Sequence, residues 1–218
     1  RFDDLKTTVG IDGGSQNAYI SVTTKREYLA QALALAADVL RNPSFPDSEF
    51  EQLREQSITG MEASRREPAR YAGEAMNKRF NHWPAGHPFA FRTLDENLAA
   101  TRAVKLEDVR AFHRDFYGTA VGEVAVVGDF DPAQMKQQLQ ELFTGWKSTK
   151  PYVRIADGFR PVAAVREAFE TPDKANAVLL ARSDFPLSTS DPDYPALTIA
   201  NRVFGGGGMA SRLGNRIR

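Results

Sequence analysis

Three histidines, His82, His87 and His113, are the residues of this chain with the widest range of possible chemistry. His82 and His87 are five positions apart with a tryptophan and a proline between them. They therefore cannot share a helix face as zinc ligands at i and i+4 would. His113 and Asp115 lie two apart on a predicted helix, where their side chains diverge. We interpret His82 and His87 as structural residues of a loop, and we reject a catalytic pair at His113 and Asp115.

Other nucleophiles and phosphate-binding motifs are also poorly supported. The chain has no cysteine, which excludes disulfides, thiolate ligands and a cysteine nucleophile. No serine stands in a nucleophile-elbow pattern. Gly205–Gly208 follow a predicted helix rather than a strand and lack a following Gly-Lys-Ser/Thr, so they do not match a phosphate loop or a dinucleotide fingerprint. We expect these glycines to form a flexible turn.

Glu62 is the carboxylate whose position is most unusual. It lies one turn after Ile58 and next to Met61, at the edge of the apolar stripe of a predicted helix. A glutamate at such a border commonly pairs with a cation at helical spacing, here Arg65 or Arg66. The residues alone therefore predict a structural ion pair.

Composition sets wider limits on function. The 218 residues are 42% hydrophobic, and 28 Lys and Arg balance 28 Asp and Glu. This is typical of a globular protein with one large or two modest domains. Without a basic block, electrostatic capture of nucleic acid is not supported, and no apolar run approaches the roughly 20 residues that a membrane span needs. The absence of cysteine leaves the compartment undecided.

The elements that would position these residues follow from periodicity and breakers. Residues 7–12 and 16–24 predict a β-hairpin. Apolar spacing predicts helices over 25–41, from 47 or 48 to 66, 69–80, 106–117, 132–143 and 191–204. A further short amphipathic helix is predicted after Gly205–Gly208. Asp131 is an expected N-cap with Pro132 at the first helical position, and Gly118 an expected left-handed cap. Continuous β-rich runs predict strands at 121–127, 165–170 and 175–182.

This order predicts an α+β protein with two-layer domains, in which mainly antiparallel sheets carry helices on one face. The expected boundaries are a first domain over 1–147, a linker over 148–161, and a second domain over 162–218 that begins a repeat of the same plan. The second domain is shorter than the first, and the chain begins without Met. We expect the chain to be a piece of a longer polypeptide, and the shorter domain to have an exposed sheet edge.

Several stretches, in order, resemble the insulinase-like zinc metallopeptidases, which include pitrilysin and mitochondrial processing peptidase. The resemblance covers essentially the whole chain, and it depends on the order and spacing of the motifs rather than on any one of them. The stretches are Tyr28–Pro43 with Phe45-Pro46, Phe50–Glu62 with Pro68, Phe112–Gly118, Val126–Asp131, and Phe204–Leu213 with Ile217-Arg218.

The resemblance implies two homologous halves that enclose a peptide-holding chamber, of which one half carries zinc. In that half a His-x-x-Glu-His helix and a later glutamate hold the ion, which activates water for attack on a peptide carbonyl. His-x-x-Glu-His is absent from this chain. In the family that helix precedes the first hairpin, so it would lie upstream of Arg1. Phe2–Lys6 and Leu53–Gln56 more closely resemble the metal-free C-terminal half of a long bacterial member. The resemblance therefore implies that half, with no catalytic residue and no metal of its own.

The parent would then be a zinc metalloendopeptidase in which this segment forms chamber wall and contacts substrate. Its partners would be a peptide or unfolded polypeptide and the homologous zinc-bearing half, in the same chain or a partner subunit. Bacterial members suggest a periplasmic location. One alternative is a non-catalytic structural or partner subunit of the same family, and another is an unrelated α+β binding module.

Two residues receive conditional roles from the resemblance. Glu62 occupies the position of the last zinc ligand, and it would bind zinc only if this chain were the zinc-bearing half. Arg218 lies where an arginine of the metal-free half reaches toward the substrate, a task that suits a guanidinium because it can donate two parallel hydrogen bonds. Arg218 is equally compatible with a helix-end arginine favoured by the helix dipole.

Overall fold

The computed structural model describes residues 1–217. The chain divides into two compact units, each built from two separate stretches. The first unit comprises Arg1–Arg65 and Arg92–Ala156, and the second comprises Arg66–Phe91 and the chain from Asp157 onward. The division into sequential domains with a linker at 148–161 stays a prediction.

The first unit opens with the predicted β-hairpin. Strand β1 (Thr8–Gly13) pairs antiparallel with strand β2 (Ala18–Thr23), so that Ile11 lies opposite Ile20. A hydrogen bond from the amide of Gly14 to the carbonyl of Asn17, 2.8 Å long, closes the turn. The hairpin predicted from the β-rich runs on either side of a short polar turn is therefore confirmed.

Helices make up most of the remaining regular structure. Residues 1–217 contain eight α-helices: α1 (Leu29–Arg41), α2 (Asp47–Ala63), α3 (Pro68–Phe80), α4 (Leu94–Ala103), α5 (Leu106–Phe116), α6 (Pro132–Phe143), α7 (Tyr194–Asn201) and α8 (Arg212–Ile217). The sequence predicted all of them except α4. None of the helices in this range is both long and apolar enough to cross a membrane.

The most deeply buried apolar side chains lie in the first unit. Three are alanines of α1, and the others come from α4, α5 and α6: Ala32, Ala36, Ala37, Leu98, Leu106 and Met135. Because alanine has a small side chain, it permits close approach of a neighbouring backbone, and α1 contacts both β2 and α6. The core of this unit is therefore centred on α1 and its neighbours.

Side-chain caps begin two of these helices. The Thr93 hydroxyl accepts the amide of Glu96 at 3.2 Å, and the Glu96 carboxylate accepts the amide of Thr93 at 2.7 Å, which is a reciprocal capping box at the start of α4. At α6 the predicted cap is confirmed, because Asp131 accepts the amide of Gln134 at 2.8 Å. Both caps satisfy amides that have no partner within the helix.

The three remaining predicted strands are not present in the structure. Within the described residues, 121–127, 165–170 and 175–182 are irregular, and the only sheet there is the two-stranded hairpin. Val127 and Leu179 are 97% and 91% exposed. A β-rich run forms a strand only where another strand satisfies its amides and carbonyls, and these runs lie beside none. The α+β class is confirmed, with far less sheet than expected.

Gly118 has a packing role rather than the expected left-handed conformation. Its φ is not positive, whereas a Cβ at this position would lie 2.5 Å from the amide nitrogen of Ser148. The chain that returns from α6 thus passes directly against the end of α5. The Thr149 hydroxyl donates to Asp115 at 2.8 Å, and the Lys150 ammonium lies 3.3 Å from the same carboxylate.

Candidate functional site

The ion pair predicted for Glu62 is present and belongs to a larger cluster. One oxygen of Glu62 accepts from Arg65 at 3.0 Å, and the other accepts from Arg102 of α4 at 2.9 Å. Arg65 also donates to Asp95 at 2.8 Å. The hydrogen bonds from Arg65 and then Arg102 lower the pKa of the Glu62 carboxyl. The cluster connects α2 to α4 on a solvated surface of the first unit.

The described residues do not fit a zinc ion. No group of three or more His, Asp or Glu side chains converges anywhere in residues 1–217. Both oxygens of Glu62 face guanidinium groups, whose positive charge would oppose a cation there. The conditional role of Glu62 in a zinc-bearing half stays a prediction.

His113 and Asp115 have separate partners in the first unit. The Nε2 atom of His113 lies 2.8 Å from the carbonyl oxygen of Leu40. The His113 and Phe45 rings pack in a T-shaped arrangement with their centroids 5.6 Å apart. Asp115 instead binds Thr149. His113 therefore links α5 to the end of α1, which is a structural role.

The loop after α3 holds an aromatic cluster. Trp83 stacks on His87 with ring centroids 4.0 Å apart and planes within 5°. The ring centroid of His82 lies 4.6 Å from that of Trp83. The Nδ1 atom of His87 accepts the amide of Phe89 at 3.1 Å. His82 lies 3.3 Å from Asp157. These contacts are those of an ordered loop, in keeping with the structural role that we inferred for both histidines.

The first two glycines of the run continue a helix, and Gly207 and Gly208, the latter with a φ of 57°, end it. Arg202–Gly206 form a π-helical turn directly after α7, and a Cβ at Gly207 would lie 2.9 Å from the carbonyl oxygen of Arg202. Glycine thus permits a wide, tightly packed turn. Ser211, 2% exposed, donates to the carbonyl of Gly208 at 2.6 Å and fastens the turn. Arg218 lies outside the described residues, so its role stays a prediction.

A half-open cavity in the second unit combines residues that no sequence pattern grouped. We call it the arginine pocket. Its volume is about 400 Å³. Its walls come from three stretches of the chain. They are residues 79–82 at and after the end of α3, residues 157–163, and Arg182 with Asp184. No local motif marks these three stretches, which are separated by up to about a hundred positions and meet only in the folded unit.

On one side of the pocket, Arg182 is paired with Asp184 and packs against Phe80. Its guanidinium donates two parallel hydrogen bonds to Asp184, 2.9 and 2.8 Å long, and lies 4.2 Å from the ring centre of Phe80. The paired carboxylate raises the pKa of Arg182 and lowers that of Asp184. On another side, Arg79 donates to the carbonyl of Ala163 at 3.1 Å. The cavity is therefore lined by charged groups in defined positions.

Comparison with known proteins shows similarities in sequence and in fold. A sequence model described as the peptidase M16 inactive domain matches residues 103–218. The crystal structure of a peptidase M16 inactive domain from Pseudomonas fluorescens has a similar fold, with a TM-score of 0.66 and 22% sequence identity. That similarity covers 100% of this chain and 52% of the other, so this chain spans about half the length of its structural neighbour. No curated protein matches.

Proposed function

We propose, because this chain belongs to the peptidase M16 inactive domain family, that it is the non-catalytic part of a zinc metalloendopeptidase. In this proposal it forms part of a chamber wall and contacts the polypeptide that the parent protein cleaves. A homologous zinc-bearing half, in the same chain or in a partner subunit, supplies the metal and the hydrolytic residues.

The family match over residues 103–218 is the observation that carries the proposal. It confirms the resemblance to insulinase-like peptidases. Two features of the chain support a non-catalytic role: His-x-x-Glu-His is absent from the sequence, and residues 1–217 contain no convergent set of metal ligands. The repeated two-layer plan, the periplasmic location and the contact of Arg218 with substrate are further parts of this proposal.

A second candidate function is a structural or partner subunit in an assembly that does not cleave peptides. The description of the matched family as an inactive domain is compatible with it. The two candidates differ in one respect. The first requires a zinc-bearing half in the same assembly, whereas the second requires that no chain of the assembly contains one.

A chelation experiment on the complete parent protein tests the proposal. We expect cleavage of a quenched fluorescent peptide to stop when 1,10-phenanthroline is added and to return with zinc, while the 218-residue chain alone stays inactive with or without zinc. A photoreactive, non-cleavable peptide should label this chain in the assembly. Cleavage by the chain alone would contradict its non-catalytic role, and absence of labelling would contradict its contact with substrate.

The same preparation separates the two candidates. The zinc content of the assembly, measured by atomic absorption, should be close to one ion for each copy of this chain if a zinc-bearing half is present. An assembly that is metal-free and inactive after reconstitution with zinc would favour the structural subunit.

A further inference from the structure

The charges around the arginine pocket are not balanced. Three arginines and two aspartates line it, which leaves a net charge of +1 when His82 is neutral. Arg182 is fully paired with Asp184, and Asp157 has His82 beside it. Arg79 donates to a neutral carbonyl, which does not cancel its charge. Within the described residues, Arg160 has no carboxylate partner.

Arg79 and Arg160 both keep hydrogen-bond donors for a ligand. A guanidinium carries five N–H donors, and the contact with Ala163 uses one of those on Arg79. That contact also restricts the position of Arg79, so little side-chain freedom remains to be lost on binding. Arg160 lies on the same pocket wall as Ala163, three residues earlier in the chain. The pocket therefore presents two guanidinium groups that suit planar, bidentate recognition of a carboxylate.

We propose that the arginine pocket binds one carboxylate of an acidic peptide side chain, held by Arg160 and Arg79. A single negative charge matches the net charge of the walls. A phosphate group carries about 1.5 to 2 negative charges at neutral pH, which is more than the net charge of the walls neutralises. The volume of about 400 Å³ lies within the range of ordinary ligand sites and admits a side chain with adjacent backbone. That the carboxylate belongs to a peptide rests on the proposed function.

Two matched peptides test this assignment on the 218-residue chain. They are fluorescein-labelled, composed of alanine and serine, and differ only in a central Glu or Gln. Fluorescence anisotropy at low salt measures their affinities. We expect the Glu peptide to bind about tenfold or more tightly than the Gln peptide, as for a charge-assisted hydrogen-bonded pair. Arg160→Gln should remove this preference.

Arg166→Gln is the matched control, since Arg166 is exposed in the same unit and does not line the pocket. It removes the same charge and should change the affinity for the Glu peptide less than twofold. Circular dichroism and urea midpoints check that both variants fold like the parent chain.

Three results would overturn the proposal. They are equal affinity for the two peptides, equal effects of Arg160→Gln and Arg166→Gln, or binding of inorganic phosphate without any binding of the Glu peptide. The assay involves no cleavage. A Glu preference that depends on Arg160 would therefore remain valid even if the parent protein had no zinc and no peptidase activity. Conversely, an active parent with no such preference would refute this pocket assignment alone.

Discussion

Truncation of Leu98 should destabilise the first unit strongly. Leu98 lies on α4 and is 1% exposed, and α4 contacts α2. Leu98→Ala removes three carbon atoms, each worth about 0.8 kcal/mol of transfer free energy when buried. With a further contribution from the cavity that remains, we expect the free energy of unfolding to fall by about 3 kcal/mol.

Each unit has its own tryptophan, which allows this loss to be measured locally. Trp146 lies in the first unit and Trp83 in the second. In a Trp83→Phe background, the fluorescence of Trp146 follows the unfolding of the first unit in urea. For a slope of about 1 to 3 kcal/mol per molar urea, the midpoint should fall by about 1 to 3 M.

Leu53→Ala is the matched control. It makes the same chemical change on α2, but Leu53 is 60% exposed, so we expect a loss below about 0.5 kcal/mol. Midpoints of Leu98→Ala and Leu53→Ala that coincide would show that α4 does not bury Leu98, and the described core of the first unit would then be wrong.

Three further changes test local features of the first unit in the same assay. Thr93→Ala removes the capping box of α4 and should cost about 0.5 to 2 kcal/mol, whereas Thr93→Ser should cost much less; equal losses would exclude the cap. Gly118→Ala places a Cβ 2.5 Å from the amide nitrogen of Ser148 and should cost about 1 to 3 kcal/mol, and an unchanged midpoint would refute this close approach. The hydrogen bond from Thr149, with Lys150 beside it, lowers the pKa of Asp115, so its ionised form stabilises the folded state above about pH 4 and this contribution is lost as the pH falls through the lowered pKa. The difference in unfolding free energy between the parent chain and Asp115→Asn should therefore be constant near neutral pH and shrink below about pH 4; a difference that stays constant down to pH 3 would contradict the lowered pKa.

Local signals in the sequence were sufficient for most helices. Asp131 and Pro132 marked the start of α6, and apolar spacing marked α1. Helix α4 was missed because three alanines and a short apolar stripe give weak periodicity, yet the Thr93-Leu-Asp-Glu96 capping-box pattern was present. That pattern was the signal that could have located the helix.

What depends on distant partners could not be predicted. The β-rich runs at 121–127 and 175–182 had the composition of strands, but pairing requires a neighbour that no local pattern supplies. The same limit applies to the candidate sites. The Glu62–Arg65 pair followed from helical spacing, whereas its contact with Arg102 required the placement of α4. The arginine pocket joins three separate stretches and had no local signature.

The alternation of the two units along the chain determines the order in which each can be completed. Residues 66–91 leave the ribosome before 92–156, but the partners of that stretch begin only at Asp157. The first unit can therefore close as soon as residue 156 has emerged, while α3 and its aromatic loop wait for the later segment. When the first unit can already close, α3 is thus still without its partners, and it is then the stretch that a chaperone or a protease acting on the nascent chain would meet unpaired.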